Sequence, residues 1–116
     1  MINSHKDLIV WQQSILFVKD IYDITSLFPN QEQFGLTNQM RRAAVSIPSN
    51  IAEGAGRSGK KEWIRFLHIA LGSVSELETQ LEIAKVLGYT SNIERENEKL
   101  IYIRRMILKL ISSLNV

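Results

Sequence analysis

The stretch of sequence that decides the fold runs from Trp63 to Ala84 and reads WIRFLHIALGSVSELETQLEIA. Apolar and small side chains recur along it in alternating steps of four and three residues, a spacing typical of the seam of a left-handed antiparallel helical bundle. The residues on this seam are Trp63, Leu67, Ala70, Val74, Leu77, Leu81 and Ala84. Gly88 follows the seam, where a left-handed residue commonly ends a helix. The stretch therefore predicts a long third helix that needs partner helices from the rest of the chain.

Two segments that precede this stretch have the same helical periodicity. The first begins at Leu8 and ends before Pro29, because the residue that precedes a proline is pushed out of the α-helical region. The second runs from about Thr37, a plausible N-cap, to about Ala55. Both segments therefore predict amphipathic helices that pack against the third.

Glycines and short turns separate the predicted helices. The glycines at 54, 56 and 59 are expected to break the second helix, and Ser58 is expected to cap the third. A fourth helix has its apolar positions at Ile93, Leu100, Ile103, Ile107, Leu110 and Leu114. Short connections make successive helices antiparallel. The predicted fold class is all-α, an antiparallel up-down four-helix bundle with a proline-kinked second helix, formed as one domain by residues 1–116.

The proline that kinks the second helix is Pro48. It cannot donate a backbone hydrogen bond, so the helix is expected to bend there, and Ser46, Ser49 and Asn50 are able to satisfy the freed backbone groups. A purely structural kink and a site of chemistry are both open at this point. Nucleophilic catalysis needs a base beside the nucleophile, and neither of the two histidines lies at helical spacing from these serines. We therefore predict that the protein is not an enzyme.

Composition limits the remaining classes of function. The 116 residues suit a single core, and the absence of cysteine excludes disulfides and thiolate metal sites. The run GAGRSGKK at residues 54–61 follows no strand and lacks the Walker spacing, so we predict no cofactor and no metal. No apolar run is long enough to span a bilayer and the N-terminus lacks a secretion signal, so a cytoplasmic protein without a membrane partner is expected.

The first helix has more apolar surface than neighbouring helices usually cover. One stripe follows Leu8, Trp11, Ile15, Val18, Tyr22 and Thr25, and a second follows Val10, Phe17, Ile21, Ile24 and Phe28. Two interpretations are open: the helix lies at the centre of a monomer, or its surplus apolar face mediates self-association.

Residues 39–54 read QMRRAAVSIPSNIAEG, and they resemble the signature of the four-helix bundle proteins that are encoded by intervening sequences of 23S ribosomal RNA genes. Further matching segments lie along nearly the whole chain: VWQ at 10–12, FP at 28–29, FGL at 34–36, IALGS at 69–73, ELETQL at 76–81 and LGY at 87–89. The resemblance implies that Pro48, Asn50, Glu53 and Gly54 are structural motif residues. This family is similar to the accessory variability proteins of diversity-generating retroelements. That similarity implies a homopentamer and an RNA or DNA partner.

Positive charge is the remaining functional signal, although the net charge is only +2. Antiparallel packing is expected to place four arginines at the same level along the bundle axis, with Glu76 and Glu78 between them. We call these residues the arginine belt: Arg41, Arg42, Arg104 and Arg105. A second group, the basic end, contains Arg57, Lys60, Lys61 and Arg65, joined by Lys6. Surface charges often serve only as salt bridges, and this interpretation of the belt stays open.

These patterns lead to two hypotheses of different classes. The first is an oligomeric helical bundle that binds the RNA or DNA backbone non-specifically, because several copies concentrate modest charge around one axis. The second is a protein-interaction scaffold that self-associates through helix 1, or binds a foreign helix with it, without nucleic acid.

Overall fold

The computed structural model describes residues 4–116, in which four α-helices and two short 3₁₀ turns account for the regular structure and no strand occurs. The helices are α1 (Ile9–Thr25), α2 (Leu36–Ala55), α3 (Lys60–Val86) and α4 (Glu94–Leu114), and the turns are His5–Asp7 and Asn30–Glu32. The prediction of an all-helical, four-helix fold is confirmed. Residues 1–3 of the predicted domain lie outside the described residues.

The core forms where each helix contacts its neighbours in the chain and α1 contacts α4. The α2–α3 interface is the most extensive and the α1–α4 interface the least. Every residue of the predicted α3 seam is buried except Trp63, which is half-buried. Each large aliphatic side chain buried there contributes about 1.5 to 3 kcal/mol before the cost of chain entropy. The seam identified in the sequence is therefore the side of α3 that forms the core.

Gly54 explains why α2 and α3 approach so closely. The prediction that Gly54 breaks the helix is wrong, because it lies inside α2 and is buried. A Cβ atom at this position would lie 2.7 Å from Cδ1 of Trp63 and 2.9 Å from Cβ of Phe66. Only a residue without a side chain fits between the two helices here.

Both predicted helix caps are wrong, for different reasons. α2 begins at Leu36 after an N-cap at Gly35, and the Leu36 amide donates to Oε1 of Glu32 at 3.1 Å, so Thr37 already lies inside the helix. The residue before α3 is Gly59, with a φ of +123°, and no side chain caps this helix. Ser58 is therefore one residue too early to be the cap.

The predicted end of the third helix is correct. Gly88 has a φ of +79°, and its amide donates to the carbonyl of Lys85 at 3.0 Å. The amide of Tyr89 reaches back to the carbonyl of Ala84 at 2.9 Å, which completes a Schellman motif.

α2 continues through Pro48 without interruption, and the proline is buried. Asn50 Nδ2 donates to the carbonyl of Ser46 at 2.8 Å and to its Oγ at 2.9 Å. Ser73 Oγ on α3 donates to Ser46 Oγ at 2.8 Å. The polar side chains around the proline therefore tie α2 to α3, whereas Ser49 is exposed.

Candidate nucleic-acid interface

The eight cations nominated from the sequence differ in whether a carboxylate neutralises them. Arg57 pairs with Glu53 at 2.5 Å, Arg65 pairs with Glu62 at 3.2 Å, and Arg104 pairs with Glu78. Within residues 4–116, no ion pair within 4.0 Å is formed by the other five: Arg41, Arg42, Lys60, Lys61 and Arg105. The structure therefore leaves most of the nominated charge available, but not as one continuous belt.

Arg104 is the belt residue that forms a salt bridge. Its two terminal nitrogens each donate to one carboxylate oxygen of Glu78, one of them at 2.8 Å, and Nη2 also donates to Oγ of Ser75 at 3.2 Å. Hydrogen bonding to Glu78 raises the pKa of Arg104 above its ordinary value. A phosphate could bind Arg104 only after this bidentate pair had opened.

Arg41, by contrast, is fixed to α1. Its Nε donates to Oγ1 of Thr25 at 2.9 Å, and Nη2 donates to the carbonyl of Tyr22 at 3.4 Å. The guanidinium carbon lies 4.5 Å from the centroid of the Tyr22 ring, which is a cation–π contact. These contacts hold the half-buried guanidinium in one orientation without neutralising its charge.

Two hollows meet at Arg41, and we call them together the Arg41 groove. One, of about 450 Å³, is lined by Tyr22, Asn38, Arg41, Arg42, Val45 and Ser46. The other, of about 320 Å³, is lined by Thr25, Ser26, Phe28, Pro29, Asn30, Gln33, Thr37 and Arg41. No carboxylate among the described residues lines either hollow. The groove therefore combines two arginines with neutral hydrogen-bonding side chains and the apolar Val45, Phe28 and Pro29.

The basic end lies at the turn between α2 and α3. Arg57 and Arg65 both lie near the ring of Phe66, with guanidinium carbons 5.1 and 4.8 Å from its centroid. Lys60 and Lys61 are exposed in the first turn of α3, where the partial positive charge of the helix N-terminus adds to their own. Lys60, Lys61 and the exposed Lys6 thus form no ion pair within residues 4–116.

Apolar side chains of α1 are exposed on two sides, towards α2, where Trp11, Ile15 and Val18 line a hollow of about 350 Å³, and towards α4. A cavity of about 740 Å³ opens between α1 and α4, with apolar side chains such as Leu8, Ile9 and Met106 in its wall and the charged Asp7, Arg105 and Lys109 beside them. Ile9, Leu16 and Tyr102 are 58%, 60% and 49% exposed along this side. We call this surface the α1–α4 groove. Ile9 and Leu16 belong to neither predicted stripe, whereas Ile15 and Tyr22 of the first stripe are each 42% exposed, so the sequence prediction missed the most exposed apolar residues of α1.

The motif residues occupy structural positions. Asn50 belongs to the serine network and Gly54 to the close contact between α2 and α3, whereas Glu53 is exposed and pairs with Arg57. His68 is exposed on α3. Of the residues that the structure describes, none forms a helix long and apolar enough to cross a membrane.

Sequence reasoning missed the partnership of Arg41 with Tyr22 and the polar wall provided by Asn30, Gln33 and Asn38. Tyr22 lies 19 residues before Arg41, so no helical spacing connects them. One signal was present: Arg41 and Arg42 have no acidic residue three or four positions away in either direction. Cations without such neighbours have no local ion-pair partner on their own helix.

Two comparisons with known proteins give matches, one to a family model and one to a solved structure. A family model described as 23S rRNA-intervening sequence protein matches residues 6–112. The crystal structure of a protein of unknown function from the S23 ribosomal protein family of Bacteroides thetaiotaomicron matches with a TM-score of 0.79 and 26% identity. That match covers 89% of this chain and 98% of the other. The comparison with curated proteins gives no match. Because the family model spans all four helices, the chain belongs to the family of 23S rRNA-intervening sequence proteins.

Proposed function

We propose that the protein is a cytoplasmic, non-enzymatic helical-bundle oligomer that binds the backbone of RNA or DNA through its free cations. The observation that carries this proposal is that Arg42, Lys60, Lys61 and Arg105 are exposed and form no ion pair within residues 4–116. A cation that is already paired must exchange a carboxylate for a phosphate, whereas a free cation gains the phosphate outright and releases counterions.

The proposal includes an antiparallel up-down bundle with a bend in α2 at Pro48. Gly54 near the end of α2 packs against Trp63 near the start of α3, as antiparallel neighbours require. Asp20 near the end of α1 accepts from Lys99 near the start of α4 at 2.6 Å, which supports the same arrangement for that pair.

Self-association raises the affinity for nucleic acid above what the few free cations of one copy provide. The exposed side chains Ile9, Leu16 and Tyr102 along the α1–α4 groove form an apolar surface that a second copy would remove from water. A homopentamer is the assembly implied by the similarity to the retroelement accessory proteins. Each added copy contributes its own Arg42, Lys60 and Lys61, none of which lines the α1–α4 groove, so that weak contacts act together on one nucleic acid.

A salt-dependent gel-shift titration with an RNA hairpin tests the proposal. We expect binding at about 50 mM salt that weakens steeply towards about 200 mM, as phosphate contacts require. The double variant K60Q/K61Q should lower the affinity. The matched control K19Q/K99Q removes two cations that are already paired, Lys19 with Asp23 at 2.8 Å and Lys99 with Asp20 at 2.6 Å. No binding at the lowest salt, or an equal loss in both variants, would contradict the proposal.

The rival function, a protein-interaction scaffold, is favoured by one specific observation, the apolar α1–α4 groove. The variant L16D places a charge on this exposed surface without disturbing a buried side chain. Light scattering should then show a lower molar mass if the groove joins copies. A multimer that dissociates on this substitution and has no affinity for nucleic acid would establish the scaffold instead.

A further inference from the structure

We propose that the Arg41 groove binds single-stranded nucleic acid, stacking an unpaired base on the Arg41–Tyr22 pair and holding the adjoining phosphate with Arg42. This inference rests on the proposed function and adds the form of nucleic acid and the place where it binds. It is carried by the geometry of three side chains on α1 and α2 and by the chemistry of the walls around them.

The stacking surface is already assembled. Tyr22 is 42% exposed, and the guanidinium of Arg41 lies over its ring at 4.5 Å. The bonds to Thr25 and to the Tyr22 carbonyl use Nε and one N–H of Nη2, so three of the five guanidinium N–H groups have no acceptor within residues 4–116 and can donate to a ligand. Aromatic rings and guanidinium planes are the side chains on which unpaired bases stack.

Arg42 is the residue that would contact the phosphate. It follows Arg41 on α2, lines the larger hollow, and is exposed with no hydrogen bond or ion pair from its side chain among residues 4–116. Guanidinium groups bind phosphate through paired N–H donors. A base that stacked on Arg41 would therefore bring its phosphate within the range of an unpaired cation.

The walls of the groove suit a base edge. Asn30, Gln33 and Asn38 present side-chain amides, whereas the hydroxyls of Ser26 and Ser46 are already hydrogen-bonded within the protein. The amides both donate and accept hydrogen bonds, as the edges of bases do. Because no carboxylate of the described chain lines the groove, nothing there repels a phosphate.

A duplex cannot use this site in the same way. Its bases are stacked on each other and paired, so a side chain cannot cover their faces unless a nucleotide leaves the helix. The larger hollow, about 450 Å³, lies within the size range of pockets that hold a small ligand, about 300 to 1,000 Å³. Single strands, loops and unpaired ends are therefore the forms that fit.

Fluorescence anisotropy with a labelled oligouridine and with an RNA duplex of equal total phosphate number tests the inference. The single strand should bind more tightly, and Y22L should weaken its binding about tenfold, the usual effect of losing one stacked base. Y22F, which keeps the ring, should bind like the unaltered protein. A second readout uses 5-iodouridine in the strand, with the expected photocrosslink mapped to Tyr22 by mass spectrometry.

The outcomes separate this inference from the proposed function. Equal affinity for duplex and single strand, with no loss in Y22L and no crosslink at Tyr22, overturns the inference while backbone binding still stands. A complete absence of binding to either RNA at low salt overturns both. A larger loss in R42Q than in K60Q/K61Q for the single strand supports the assignment of Arg42 as the phosphate contact.

Discussion

Two regions of the molecule place arginine against an aromatic ring, and they differ in what is left for a partner. At the α2–α3 turn, Arg57 and Arg65 lie near Phe66, which is only 9% exposed, and each arginine is paired with a glutamate. In the Arg41 groove, the Tyr22 ring is exposed, and Arg41 forms no ion pair with any carboxylate of residues 4–116. The same residue types therefore serve packing in one region and remain available in the other.

The difference originates in the local sequence of α2 and α3. Glu53 lies four residues before Arg57 and Glu62 three before Arg65, which are the spacings at which helical side chains meet. Such exposed pairs stabilise a protein by about 0 to 1 kcal/mol. Such weak pairs can open. Both regions therefore carry arginines, and they differ in whether a glutamate neutralises the arginine charge.

The largest expected effect comes from breaking the packing beneath Phe66. Because a Cβ at Gly54 would collide with Trp63 and Phe66, we expect G54A to lower the free energy of unfolding by about 3 kcal/mol or more. Urea unfolding followed by circular dichroism measures this.

The chain provides matched controls for this substitution. At Gly56 the nearest atom lies 3.7 Å away, so G56A should change little, and Gly72 in α3 has nothing within 4 Å. G72A should stabilise the helix by about 0.5 to 1 kcal/mol, since alanine favours helices more than glycine does. A G54A protein as stable as G56A would show that α2 and α3 do not approach as closely as described.

A second prediction compares the two arginines directly. R41K removes the fixed bond to Thr25 and the planar group over Tyr22, so it should destabilise the protein by about 1 kcal/mol. R57K replaces an exposed partner of Glu53 and should cost less than about 0.5 kcal/mol. Equal losses in thermal or urea unfolding would mean that Arg41 is no more fixed than Arg57.

A third prediction concerns the hydrogen bonds of Glu32, which lies in sequence between Asn30 and Gln33 of the Arg41 groove; we call these bonds the Glu32 brace. Tyr89 Oη donates to Oε2 of Glu32 at 2.7 Å, and Glu32 also accepts from the Leu36 amide. The Tyr89 and Leu36 hydrogen bonds lower the pKa of Glu32 below its ordinary value of 4.5. The stabilisation it provides is therefore complete above that value and disappears as pH falls through the lowered pKa.

The measurement for this brace is urea unfolding of E32Q and the unaltered protein across pH. E32Q should be less stable at pH 7, and the difference should shrink as the pH falls below about 4.5. The same bond raises the pKa of Tyr89 above its ordinary value of 10.0, so its contribution is present below that pH and is lost as pH rises through the raised pKa. A constant difference between the two proteins from pH 3 to pH 7 would exclude a role for ionised Glu32.

The smallest expected effect comes from making the Phe66 region more like the Arg41 groove. E53Q/E62Q frees Arg57 and Arg65, so it should raise affinity for RNA a few-fold and make the salt dependence steeper, with little change in stability. The control E94Q/E98Q removes two charges from the other end of the molecule. If both variants raise affinity equally, net charge decides binding rather than the freed arginines.

Sequence alone predicted features that depend on spacing along one helix. The α3 seam and the helix end at Gly88 are of this kind, and both are confirmed because the pattern needs no knowledge of the neighbouring helices. The pairing of Arg104 with Glu78 also agrees with the salt-bridge interpretation of the belt, since antiparallel packing relates heights on adjacent helices.

Features set by contacts between elements were missed. The sequence pattern predicts that Gly54 breaks the helix, because the reason for a glycine there, the close approach of α3, depends on where Trp63 lies. It predicts Thr37 as the cap, because spacing alone does not show that Glu32, four residues before Leu36, accepts from the first helical amide. The Arg41–Tyr22 contact is between α2 and α1, and it depends on the path of the connection between these helices, which the sequence pattern does not specify.

The salt dependence of binding to a single-stranded oligonucleotide decides whether the unpaired cations contact phosphates. We expect log K to fall linearly with log salt, and we expect R42Q to lower the steepness of that slope by about 0.7, the contribution of one phosphate contact on a single strand. A slope unchanged in R42Q, or no binding at the lowest salt, would contradict this expectation.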